Sequence, residues 1–190
     1  DNQVVGDAKP ESIALIDEWA GHRLIASQVN PATLDRAIEA GRTTLWHLMS
    51  EGVEDLFPPE RVKRGGYSLI LGSSTVGDFM VRLAYVMGYR ELHIFGFDSC
   101  HRDGKSHAYP QPMNDTMPYT TVEWGGRSFI ASLAMKAQAE KFQATARMLE
   151  ERGCKLEIYG DGLLQTMYRT NARDLSERDA YRLMWQFDTY

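Results

Sequence analysis

A few polar residues, each placed where an apolar run stops, are the positions at which this chain could do chemistry. Gly72-Ser73-Ser74-Thr75-Val76-Gly77 follows one such run and precedes a helical pattern. A strand-to-helix turn of this kind aims unpaired backbone N–H groups at one point, which suits a phosphate or another anion. Its two glycines have the spacing of a P-loop, but Asp78-Phe79 stands where that loop needs Lys followed by Ser or Thr. The dinucleotide fingerprint fails too, because Ser74 occupies the place of the second glycine. A well-capped helix accounts for the same residues. Asp98 closes a later apolar run and Asp7 closes the first. Carboxylates at the carboxyl ends of strands hold Mg²⁺ against phosphates, orient a sugar hydroxyl, or simply cap the next turn. His107, on the loop after Asp98, is a candidate general acid or base. Cys100, His101 and His107 invite a zinc reading, but they lack the paired spacing of structural sites. Gly160-Asp161-Gly162 either completes the rim of a crevice or makes an ordinary turn.

The elements that must position these residues alternate between strand and helix. Residues 67–71 read as a buried strand stopped by Gly72. A helix follows, with Val76, Phe79, Met80, Leu83, Ala84 and Met87 on one face and Asp78 in the first turn, where a negative charge suits the macrodipole. Gly88 ends it, and residues 92–97 form the next strand. Upstream, residues 3–6, 23–26 and 43–48 read as strands. A helix is expected to begin at Pro10, with Ile13, Leu15, Ile16 and Trp19 on its apolar face. Another begins at Asn30-Pro31, with Leu34, Ala37 and Ile38 turned inward. Residues 50–66, with Pro58-Pro59 and Gly65-Gly66, are a connection.

Residues 100–127 show no periodicity and read as a long ordered loop over the site. From Ser128 to about Arg152 a helix is expected, with Ile130, Leu133, Ala134, Ala137, Ala144, Thr145 and Met148 on one stripe. Residues 155–159 make a strand, and a short helix follows Gly162. Residues 176–190 hold Tyr181, Trp185 and Phe187 and form an aromatic tail, docked on its own domain or serving as a contact between copies in a homo-oligomer.

This rhythm predicts an α/β fold: a three-layer Rossmann-like domain with a mainly parallel sheet of about six strands and helices on both faces. The domain is expected to span residues 1–175. Because the chain opens almost directly on a strand, a preceding β/α unit is expected upstream. Composition agrees with a soluble globular domain: 190 residues, 43% hydrophobic and 25% charged. A net charge of −5 argues against a nucleic-acid surface, and the densest basic cluster is only Arg61-Val-Lys-Arg64. No stretch approaches the roughly 20 apolar residues of a membrane span. With two cysteines and no signal pattern, a reducing cytoplasm is the expected location.

Taken together, Gly72-Ser-Ser-Thr-Val-Gly77, Met87-Gly-Tyr89, Ile94-Phe-Gly-Phe-Asp98 and Gly104-Lys-Ser-His107-Ala-Tyr109 resemble the core of the MptE-like family. That family includes archaeal 6-hydroxymethylpterin diphosphokinases and Maf-type proteins implicated in flagellin glycosylation. Sialyltransferase-like relatives bind a CMP-sugar at a similar crevice. The resemblance covers roughly residues 1–165 and is concentrated between 66 and 109. It implies a nucleotide as substrate, with Gly72, Ser73, Ser74 and Thr75 near its phosphates, Asp98 beside the same ligand, and His107 as acid or base. Gly160 and Asp161 join that binding rim, and Asp7 with Asp98 would carry Mg²⁺. The family's glycine-rich opening turn is absent from this sequence, and the aromatic tail has no counterpart in the pattern.

Two classes of function follow. The first is a nucleotide-dependent transferase, moving diphosphate from ATP to a hydroxymethyl, pterin-like acceptor or a sugar from a nucleotide-sugar to a hydroxyl. The second is a non-catalytic ligand-binding or assembly module that keeps the fold. A metal-dependent hydrolase using Asp7, Asp98 and His107 is a weaker third.

Overall fold

The computed structural model describes residues 1–49, 69–71, 75–107 and 117–170. The connection at 50–66, the start of the strand at 67–68, residues 72–74, the Ala108–Tyr109 end of the histidine motif and the tail at 176–190 lie outside the described residues. Contacts divide the chain into two compact units, Asp1–Val86 and Met87–Tyr190.

The first unit is built on four parallel strands in sequential order: β1 (Asn2–Val5), β2 (His22–Ala26), β3 (Thr43–Met49) and β4 (Leu69–Leu71). A 3₁₀ turn (Pro10–Ser12) and α1 (Ile13–Asp17) join β1 to β2, and α2 (Pro31–Ala40) joins β2 to β3. The start of α2 follows from its sequence. Pro31 needs no hydrogen bond in the first turn, and the Asn30 side chain accepts from the Ala32 N–H at 3.0 Å. Gly41, at φ +71°, ends the helix in a backbone conformation that favours glycine, its N–H donating to the Ile38 carbonyl.

Register decides which side chains share a face of the sheet. Ile25 pairs with Leu45 and Ala26 with Trp46, so odd and even positions of β2 look to opposite sides. Arg23, buried in β2, donates to the carbonyls of Ile16 at 2.9 Å and Gly41 at 3.1 Å, and also to that of Trp19. Gln3 reaches the Leu15 carbonyl and Thr43 the Ala37 carbonyl, so α1 and α2 cover this side. On the other side, α3 (Val76–Val86) sets Phe79 against Trp46 with ring centroids 5.9 Å apart. This unit is mixed α/β, with helices packed on a parallel sheet, as the sequence predicts.

Two inward-facing stripes are corrected in this unit. Ile38, expected inside, is 62% exposed, while Ala37 is fully buried. In α3 Met80 is exposed, and Asp78 of the first turn is completely buried, 3.4 Å from the buried guanidinium of Arg82. In the observed rotation Asp78 and Arg82, four residues apart, face each other on the buried side of the helix.

The second unit holds a parallel pair, β5 (Glu91–Ile94) with β8 (Lys155–Ile158), and an antiparallel hairpin, β6 (Tyr119–Trp124) with β7 (Arg127–Ser132). Two helices complete it: α4 (Leu133–Glu151) and α5 (Leu163–Arg169). Ser132 caps α4 by accepting from the Met135 N–H at 3.2 Å. Phe142, Leu149, Leu163 and Leu164 are fully buried and form much of the core, each contributing about 1.5–3 kcal/mol by burial.

The hairpin overturns part of the reading of residues 100–127 as a long ordered loop and of 128–132 as helix. Gly125 and Gly126, at φ +57° and +73°, make the two-residue turn that a hairpin's right-handed twist favours. Val122 is buried between exposed Thr121 and Glu123, and Phe129 and Ala131 are buried on either side of exposed Ile130, a strand period rather than a helical one. Ile130 and Leu133, assigned to the buried stripe of a helix, are both exposed. The strand expected at 92–97 ends at Ile94. Among the described residues the strands make sheets of four, two and two, not one sheet of about six. No helix among them is long and apolar enough to cross a membrane.

Candidate functional site

The second unit gathers its chemistry at the carboxyl ends of β5 and β8, where open α/β sheets place ligands. The Ile94 carbonyl accepts from the Tyr159 N–H at 2.9 Å, which carries the pairing one residue past β8. The chain then turns through Gly160-Asp161-Gly162 into α5, and this turn closes onto Asp98. The Asp98 carbonyl accepts from the Leu164 N–H at 3.2 Å.

Gly162 is required by that closeness, and Gly160 by its backbone conformation. A Cβ at residue 162 would lie 2.4 Å from the Asp98 carbonyl oxygen, and one at residue 160 would lie 2.9 Å from Asp98 Oδ1. Gly160 also has φ +116°, outside the usual range of side-chain-bearing residues. The buried Gln165 donates from Nε2 to the Tyr159 carbonyl at 3.0 Å, leaving its Oε1 without a partner among the described residues.

Asp161 is the hinge of the local charge. Arg102 donates to its Oδ1, and Arg127 Nη2 lies 3.7 Å from its Oδ2. Hydrogen bonding and charge from Asp161, with a further contribution from Asp98, hold the Arg102 guanidinium above its ordinary range. Arg127 is oriented by a bond to Thr166 Oγ1 at 3.1 Å, and its guanidinium carbon stands 4.9 Å from the centre of the Phe129 ring. Cys100 is buried here. Burial pushes its thiol up, opposed by a bond from the Leu163 N–H.

The loop after Asp98 is ordered from both ends. Ser99, at φ +54° and buried, donates to Gln138 Oε1 of α4 at 2.9 Å. The His101 N–H donates to the Ile130 carbonyl at 2.7 Å, and its ring meets that of Tyr119 edge-on at 4.1 Å. Arg102 and Lys105 exchange backbone bonds of 2.9 Å across Asp103 and Gly104, both at positive φ. His107 is half-buried, with Nδ1 3.0 Å from Ser106 Oγ.

The structure thus brings Asp98, Gly160 and Asp161 together. In the first unit Asp7 is exposed, and its Oδ1 accepts from the Lys9 N–H at 3.0 Å, a local turn that leads into α1. Thr75 stands before α3, and its carbonyl accepts from the Phe79 N–H at 3.4 Å. Gly72, Ser73 and Ser74 lie outside the described residues. Among the described residues no group of three or more His, Cys, Asp or Glu side chains gathers as a metal site. Arg102, Arg127 and Gln165 were not legible as site residues. Only the Gly125-Gly126 turn, read as a hairpin, could have brought Arg127 to Asp161.

No family model, curated protein or solved structure matches the chain.

Proposed function

We propose that the chain is a nucleotide-dependent transferase whose reacting group sits beside Asp98. The observation that supports this best is the carboxylate of Asp98 at the end of two parallel strands, walled by two glycines and neighboured by the Arg102–Asp161–Arg127 cluster. A carboxylate orients a hydroxyl acceptor, and guanidinium groups offer an oligophosphate charge-assisted donors. His107 takes the acceptor's proton. The resemblance of residues 66–109 to the MptE-like family suggests the same chemistry: diphosphoryl transfer from ATP to a pterin-like hydroxymethyl group, or glycosyl transfer from a CMP-sugar. A Rossmann-like nucleotide fold, a cytoplasmic location and oligomer contacts through residues 176–190 belong to this proposal.

Magnesium would enter with the oligophosphate, since it commonly binds through one or two carboxylates plus substrate phosphates. Asp98 would be the carboxylate of the second unit that meets it.

Asp161 occupies both arginines, and this favours a second reading in which the cluster is an internal clasp in a ligand-binding or assembly module. Titration calorimetry with ATP, CTP and CMP, with and without magnesium, separates the two. The transferase reading expects binding that Asp98→Asn weakens at least tenfold. A magnesium requirement points to diphosphoryl transfer, and metal-independent CMP binding points to glycosyl transfer. Nucleotide binding that Asp98→Asn and Arg102→Ala both leave unchanged overturns the assignment of this crevice.

A further inference from the structure

The outer face of the β5–β8 pair carries an aromatic ladder that the site described above leaves unused. Strand alternation puts Ile94, Leu156 and Ile158 inside and Glu91, His93 and Lys155 outside. Phe95 and Tyr159 continue the outward set one step past the paired register. Their rings stack 4.2 Å apart, only 4° from parallel. The Tyr159 ring also lies 19° from the plane of His93 at 5.9 Å, and its hydroxyl sits 3.0 Å from His93 Nδ1.

Several features distinguish this ladder from a chance surface contact. Parallel strands usually have both faces covered, yet Phe95 is 69% exposed and Tyr159 41%. Tyr159 covers one face of Phe95, so the exposure falls on the remainder of that ring. The His93–Tyr159 bond and the backbone bond from Tyr159 to Ile94 fix Tyr159, so the plane is set in advance. Its position is equally specific. Phe95 is followed by Gly96-Phe97-Asp98, and Tyr159 by Gly160-Asp161, so both rings stand on the segments that deliver the two site carboxylates.

We propose that the Phe95–Tyr159 pair is a stacking platform for the planar heteroaromatic ring of a ligand, a nucleobase or a pterin. This rests on the nucleotide reading of the Asp98 site and adds the subsite that holds the ring. Stacking on an exposed aromatic tolerates any flat π system, so the platform supplies affinity and the polar groups supply choice. Uncharged ring compounds should therefore bind without help from the arginines.

The test uses ring and phosphate separately, on the whole chain. Adenosine, cytidine and 6-hydroxymethylpterin probe the platform, and inorganic pyrophosphate probes the Asp98 side. Phe95→Ala should weaken at least one ring compound about tenfold or more and leave pyrophosphate unchanged, while Phe95→Trp preserves ring binding. Which ring compound responds tells nucleobase from pterin. Unchanged circular dichroism shows that Phe95→Ala stays folded. Ring binding that Phe95→Ala leaves intact, or no binding of any ring compound at millimolar concentration, overturns the platform while pyrophosphate binding keeps the Asp98 reading alive. Ring binding lost in Phe95→Ala, alongside nucleotide binding indifferent to Asp98→Asn and Arg102→Ala, retains the platform and removes the transferase reading.

Discussion

Asp98 and Gly162 are in contact through their backbones, with no room between them for a methyl group: a Cβ on residue 162 would stand 2.4 Å from the Asp98 carbonyl oxygen and 2.7 Å from its Cα. The neighbours are main chain, so they cannot swing aside as a flexible side chain would. Gly162→Ala should cost about 1–3 kcal/mol, as overpacked positions do. A urea midpoint lowered with an unchanged slope is the expected result. An unchanged midpoint would mean that the turn does not close on Asp98.

The hairpin offers a test of conformation separated from crowding. Nothing lies within 4 Å of a Cβ at residue 126, whereas one at 125 meets the Thr166 and Thr170 methyls at 3.2 and 3.3 Å. Gly126→Ala should therefore cost about 1–2 kcal/mol through its left-handed backbone alone, and Gly126→Asn less. Gly125→Ala should cost more than Gly126→Ala, because it adds the threonine contacts. Thermal denaturation of the three variants ranks them.

In α3 the buried Asp78–Arg82 pair should respond asymmetrically to mutation. Arg82→Met removes the cation beside a carboxylate that is 0% exposed and should destabilise by about 3–5 kcal/mol. Asp78→Leu combined with Arg82→Met removes both charges and should recover much of that loss. Chemical denaturation of the single and double variants measures it, and equal losses in both would deny the pairing.

Both cysteines are buried, and burial pushes both thiols up. At pH 7.5 the folded chain should react with a disulfide reagent far more slowly than the urea-unfolded chain. A thiol whose folded pKa is raised contributes stability that is fully present below the unfolded value, near 8.5, and lost as pH rises toward the folded one. Stability should therefore decline above about pH 8.5, and Cys100→Ser should flatten part of that decline. A fast-reacting thiol at neutral pH would show that the Leu163 N–H outweighs burial.

How far the fold could be read from the residues depended on where the deciding signal lay. Asn30-Pro31 and Gly41 act through the backbone beside them, and α2 begins and ends where those residues indicate, whereas Ser132 caps α4 inside a stretch whose apolar spacing suggests helix. The hairpin was legible too, since Gly125-Gly126 sits between alternating runs, but the length of the aperiodic segment before it masked the period of two. The rotation of α3 was not legible, because burying Asp78 makes sense only once Arg82 and its surroundings are in place. In the site, Asp98 and Gly160-Asp161-Gly162 announced themselves as strand-end residues. The contact that joins them, and the arginines drawn to Asp161, are products of tertiary packing that no local pattern records.

Arg23 ties its strand to carbonyls on the α1 segment and behind α2, and this reaches beyond the sheet. A five-residue helix such as α1 is far too short to persist alone in water. Its existence is therefore conditional, lent by tertiary contacts among which the Arg23 cation joins the Gln3 bond and the burial of Ile16. Were Arg23 shortened to alanine, the segment between β1 and β2 should exchange its amide hydrogens like a frayed end, while the strands on either side stay protected.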